Sequence, residues 1–147
     1  MRTIIRVVLR SSDGVAGIRK PDEKRFSFIL GAKRDNETAL QAVRRITEEW
    51  TGVKVYQQEV VKRKTQTSQS GSTGIRKRTL TYTASPPDSR IMAQIKTHRP
   101  DGSECSITPF DPAIAKENLQ QRFLSFLETE NLLKAPRRRR RSIGPVL

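Results

Sequence analysis

Apolar residues along this chain come in short runs whose spacing changes from two to nearly four and back again. Thr3 to Arg10 (TIIRVVLR) is β-branched and apolar and predicts a strand. Ser11 to Gly14 is a turn, and Val15 to Arg19 predicts a second short strand. After a polar loop, Arg25 to Leu30 (RFSFIL) predicts a strand leading into Gly31. Ala39, Ala42, Val43, Ile46 and Trp50 then recur at helical spacing. Asn36 is a candidate cap for that helix, with Glu37 near the positive end of its dipole. Thr51-Gly52 closes it as a glycine after a helix C-terminus.

The second half repeats the alternation more weakly. Val53 to Val61 predicts a strand, and Lys62 to Lys77 is so polar that a flexible basic loop is expected. Arg78 to Ala84 and Ile91 to Thr97 predict strands, and Cys105 to Phe110 a short extended piece. Asp111-Pro112 is a helix start, with Asp as the cap and Pro at the first position. Leu119, Phe123, Phe126, Leu127 and Leu132 mark the apolar side of one C-terminal helix. The order is that of an α/β domain over residues 1–133, followed by a basic arginine-rich tail over 134–147 that is expected to be disordered.

One run carries a sharper signal. Gly31, Glu37, Arg45, Glu49, Gly52 and Val53 fall at the spacing of a glycine, a glutamate and an Arg-Glu-aliphatic-x-Glu-Glu-x-Gly-aliphatic helix. The run resembles a degenerate Nudix box. Ile46 and Trp50 stand at two glutamate positions and Thr47 at an aliphatic one. A shifted register that sets Glu48-Glu49 on the glutamate pair needs a deletion and an insertion, and puts Arg45 at a glutamate position. The gapless register is preferred. The resemblance implies a Nudix-like α/β/α sandwich with a mixed sheet, one box helix and a C-terminal helix.

Nudix hydrolases cleave nucleoside diphosphate derivatives with Mg²⁺ or Mn²⁺, and such hard cations take oxygen ligands. In the family those carboxylates come mainly from the positions of Ile46, Glu49 and Trp50, of which only Glu49 survives. The resemblance therefore implies a catalytically silent chain that needs no metal. If the chain were active, Glu49, Glu48 and Glu37 would carry the chemistry. Glu104, in a segment similar to the one before the family's last helix, would join Glu49 on the metal.

Charge adds the partner. The chain has 147 residues, with 29 Lys and Arg against 15 Asp and Glu, a formal net charge of +14. Such an excess points to polyanions. The clusters are Lys62-Arg63-Lys64, Arg76-Lys77-Arg78 and the run Arg137, Arg138, Arg139, Arg140, Arg141. Guanidinium forks suit phosphate, and aromatics are only 5%, so RNA binding led by backbone contacts is expected. Cys105 is the only cysteine and His98 the only histidine, too few for a Cys/His zinc site. No apolar run is long enough to span a bilayer, so no membrane partner is expected.

These features are similar in type to the Nudix-type proteins of the mitochondrial large ribosomal subunit. That resemblance implies rRNA and neighbouring ribonucleoprotein subunits as partners, in the mitochondrial matrix. The nucleus and the cytoplasm remain alternative compartments. Two other functions stay open: an active hydrolase of nucleoside diphosphate derivatives or RNA caps, and a small basic viral or nuclear nucleic-acid-binding protein unrelated to Nudix.

Overall fold

The computed structural model describes residues 2–69, 71, 74 and 76–137. Its centre is a four-stranded mixed sheet in the order β3-β1-β5-β4. The strands are β1 (Arg2–Leu9), β3 (Ile29–Ala32), β4 (Val60–Gln69) and β5 (Arg76–Ala84). β1 is parallel to β5 and antiparallel to β3, and β4 is antiparallel to β5. A second, two-stranded antiparallel sheet joins β2 (Gly14–Arg19) to β6 (Glu104–Pro109). The expected α/β architecture with a mixed sheet is what the chain adopts.

Helices cover both faces because β1 is apolar on both. Ile5, Val7 and Leu9 pack with Leu80, Tyr82 and the buried residues of α1 (Ala39–Thr51). Val8, on the opposite face, packs with Phe28, Phe123 and Leu127. α1 starts two residues later than Asn36 suggested. Thr38 is its cap, with Thr38 and Gln41 closing a reciprocal capping box. It ends at Gly52, whose φ of 80° is left-handed and easy only for glycine.

Four expectations change. Ile91 to Thr97 is not a strand: α2 (Asp88–Gln94) occupies it, with the Arg90 and Ile91 N–H groups bonding back to Pro87 O. Only Ile91 of that stretch is buried, so the apparent alternation does not mark a buried strand face. Val53 to Val61 is not one strand either. Val53 and Val55 are buried in extended chain, then Gln57–Glu59 form a 3₁₀ turn before β4. The expected loop over 62–77 is largely a hairpin. β4 and β5 pair as far as Gln69 with Arg76, because an edge strand is held by backbone bonds and needs little apolar side chain. A bulge at Arg63 shifts the register between Lys62 and Lys64.

The fourth change is at the C-terminus, where two helices replace one: α3 (Pro112–Asn118) and α4 (Gln121–Thr129). The break at Leu119 has a clear cause. Phe26 N–H donates to Asn118 O and Gln120 N–H to Phe26 O, so Leu119 and Gln120 leave the helix to pair with Phe26. Asp111 caps α3 as expected, accepting from the Ala113 and Ile114 N–H groups.

Candidate functional site

The box lies at the Ala32 end of β3, beside the start of β1. Gly31 is there for space: a Cβ on it would stand 2.9 Å from two carbons of Ile46. Ile46 is 1% exposed, packed into the core that α1 shares with the sheet. Trp50, one turn on, is half-buried. Its indole N–H donates to Leu30 O at 2.9 Å, and the Arg99 guanidinium lies 4.6 Å from its ring centroid. Thr47 is buried with its hydroxyl donating to Val43 O at 2.7 Å. The three departures from the box are thus built into the packing.

The surviving charges are bound to one another. Arg45 Nη2 donates to Glu37 Oε1 at 2.6 Å and to Ala32 O at 2.8 Å, and Arg45 Nε donates to Glu37 Oε2 at 3.1 Å. Glu37 Oε1 also accepts the Arg34 N–H at 2.8 Å. The Arg45 hydrogen bonds, helped by Arg34, hold the Glu37 carboxyl down to about 2 against its burial. The same bonds raise the pKa of Arg45. Glu49 is a looser partner, 3.4 Å from Arg45 and half exposed, and Glu48 is exposed. Glu104 sits on β6 in the other sheet, 2.7 Å from Arg19.

A divalent metal does not fit this box. Among the described residues, no three of His, Cys, Asp and Glu gather where they would hold a metal ion. Glu37 has both oxygens on Arg45, Ile46 offers no ligand atom, and Glu49 would bind alone. His98 is exposed, with Nδ1 3.1 Å from Thr97 Oγ1. Cys105 is buried, which pushes its thiol up to about 12. Among the described residues, neither belongs to a group of three or more possible metal ligands.

The expected RNA-binding residues are distributed by the hairpin. Register puts Lys64 and Lys77 on the α4 side of the sheet, and Lys62, Arg76 and Arg78 on the α1 side. Arg63 is at the bulge, its Nε donating to Thr83 Oγ1 at 3.1 Å. Arg137 is exposed. Arg138, Arg139, Arg140 and Arg141 lie outside the described residues. No helix of the described residues is long and apolar enough to cross a membrane.

The α4 side holds cations that the sequence pattern did not single out. A groove of about 420 Å³ between the sheet and α4 is lined by Arg6, Lys64 and Arg122 with Gln66, Ser125 and Thr129, and by no carboxylate. Arg6 is fixed: its Nε donates to Thr81 Oγ1 at 3.0 Å, and its guanidinium lies 4.3 Å from the Phe28 centroid. Burial first, then Arg122, lowers the pKa of Arg6. The missed signal was periodic. Arg2 and Arg6 in β1 and Arg10 just past its end are four apart, the spacing of one face of an extended chain.

No family model and no curated protein matches the chain. Solved structures do. The mutator MutT protein of Bacillus halodurans matches with a TM-score of 0.68 at 13% identity, over 92% of this chain and 86% of that one. The fold is that of the Nudix proteins. The Nudix domain of Shewanella oneidensis NrtR, solved with ADP ribose, matches at 0.65 with 16% identity, over 88% and 85% of the two chains. The MutT Nudix hydrolase of Burkholderia pseudomallei matches at 0.63 with 16% identity, over 86% and 95%. The Nudix frame is thus present across the domain, including the box helix, while identity this low carries the fold alone.

Proposed function

We propose that this is a non-catalytic Nudix-fold protein that binds RNA. The observation that carries the reading is the filled box: Ile46 and Trp50 stand where the family resemblance places carboxylates, and both are fastened into the structure. Rebuilding a metal site there would mean repacking the contact between Gly31 and Ile46. The cationic groove on the α4 side supports an anionic partner, since Arg6, Lys64 and Arg122 converge without a carboxylate. Phosphate contacts of this kind position a nucleic acid without reading its sequence. The net charge of +14 adds long-range attraction to a polyanion. Within this reading the protein is a structural part of a ribonucleoprotein such as the large subunit of the mitochondrial ribosome.

Hydrolysis is the second reading, favoured by the Burkholderia pseudomallei neighbour, which is a hydrolase, and by the exposed Glu48 and Glu49 on α1. Two measurements separate the readings. Crosslinking in the native cell followed by sequencing should give a footprint confined to one or two rRNA segments. Incubation with nucleoside diphosphate derivatives and capped RNA in Mg²⁺ or Mn²⁺ should release no mononucleotide. Metal-dependent release that Glu49→Gln abolishes would sink the non-catalytic reading, and the absence of any RNA crosslink would sink the RNA-binding one.

A further inference from the structure

A second cavity, of about 730 Å³, opens at the other end of the sheet from the box. It lies where β1 and β5 finish and the chain returns after α4, and Arg10, Arg63, Thr83 and Arg137 are among its walls. Arg10 is the unusual member. It is 4% exposed, and its Nη1 is tied to Lys134 O at 3.0 Å and Leu132 O at 3.5 Å. Its Nε is one of two buried side-chain polar atoms among the described residues without a hydrogen-bond partner.

A buried cation with an unmet N–H is costly unless something anionic completes it. Among the described residues, no carboxylate accepts the Arg10 Nε–H. The charged neighbour that acts on Arg10 is Arg63, which after burial itself lowers the Arg10 pKa further. Two carboxylates do line the cavity, and both are engaged elsewhere. Glu59 has both oxygens on Arg90 Nη1, at 2.6 and 2.8 Å. Asp88 accepts the Ser12 N–H at 3.0 Å and the Ser12 hydroxyl. Arg137, the first residue of the arginine run, stands on the wall.

We propose that this cavity is a phosphate-binding site, in which Arg10, Arg63 and Arg137 close around one phosphate group beside the Thr83 hydroxyl. Three guanidiniums from β1, the β4 bulge and the C-terminal segment supply the directed N–H donors that phosphate oxygens accept. The site is separate from the box and from the groove that holds Arg6, and it does not require the RNA reading. The same chemistry is offered by inorganic phosphate, by a phosphorylated RNA end and by an RNA backbone.

The test uses the full chain and inorganic phosphate, followed by calorimetry and by NMR of the arginine Nε–H groups. The Arg10 Nε–H resonance should move on addition of phosphate. Arg63→Gln and Arg137→Gln should each weaken binding about tenfold, the worth of one charge-assisted hydrogen bond. Lys116→Gln, at an exposed position on α3 that lines neither cavity, should leave phosphate affinity unchanged. Arg10→Gln is the direct variant, yet it also removes the ties to Leu132 and Lys134, so the two exposed arginines keep the test independent of folding. Absence of phosphate binding, or binding unaltered in both Arg63→Gln and Arg137→Gln, overturns the proposal.

A short oligouridylate with and without a 5′-phosphate then distinguishes the sources. About tenfold preference for the phosphorylated end, lost in Arg63→Gln, assigns the site to an RNA end. Equal affinity for the two, weakened in Arg63→Gln, assigns it to the backbone. Phosphate binding that survives while RNA fails to bind upholds the site and removes RNA as the ligand.

Discussion

Arg45, beside β3, and Arg10, just past β1, are both shielded arginines that donate to a backbone carbonyl, at Ala32 and Lys134. Their surroundings have opposite sign. Arg45 stands between Glu37 and Glu49, whereas Arg10 faces Arg63. Arg6 repeats the second pattern with Arg122. An arginine enclosed by carboxylates has its donors used and serves the fold. One enclosed by other cations is held in place by its neighbours with attraction to spare for an outside anion. The comparison separates two roles for one residue type, which net charge alone cannot do.

The largest effect at the box end should come from packing. Ile46→Ala would empty the space under Gly31 and lower stability by about 2–4 kcal/mol in urea unfolding. A loss under about 1 kcal/mol would mean that the filled box does not hold α1 to the sheet. Next comes Arg45→Gln, expected to cost about 2 kcal/mol, below the range for a fully buried broken pair because Glu37 keeps the Arg34 N–H. The pH dependence sharpens this. The folded pKa of Glu37, about 2, lies below its ordinary 4.5. Its contribution is therefore complete above the unfolded value and is lost as the pH falls from 4.5 towards 2. In Arg45→Gln that acid-side loss should shrink, and an unchanged acid limb would break the assignment.

For the arginine pair in the α4-side groove the sign should reverse. Arg122→Gln relieves a repulsion with Arg6, so stability should rise by a few tenths of a kcal/mol, the scale of a like-charge contact near the surface. RNA affinity should fall, and its dependence on salt should flatten by about 0.7 in the log–log slope for one lost phosphate contact on a single strand. A variant less stable than the parent would show that Arg122 is structural and that the comparison fails there.

Much of the box end was legible in sequence because its signals are local. Gly31, Glu37, Arg45, Glu49 and Gly52 lie within one continuous strand–loop–helix run, and a fixed spacing survives without knowledge of the rest. The cationic end is assembled from β1, β4, α4 and the C-terminal segment, with Arg6 and Lys134 far apart in the chain. No local period brings them together. The misread elements share a cause. Ile91 to Thr97 alternates but buries only Ile91, and Lys62 to Gln69 has almost nothing apolar yet forms a strand, because β5 supplies its backbone partners. The C-terminal helix is divided by Phe26, a residue 93 positions before Leu119, which no helical pattern would reveal.

The bulge in β4 has a consequence for the length of that strand. Lys62 is opposite Tyr82 and Lys64 opposite Thr81, so Arg63 has no place of its own in the ladder. A continuous ladder would have turned Lys64 and Gln66 away from α4 and brought Thr65 and Thr67 into the groove. By absorbing a supernumerary residue the strand keeps its parity. Arg63 is thus the one position in β4 that the sheet can lose without any other side chain changing sides.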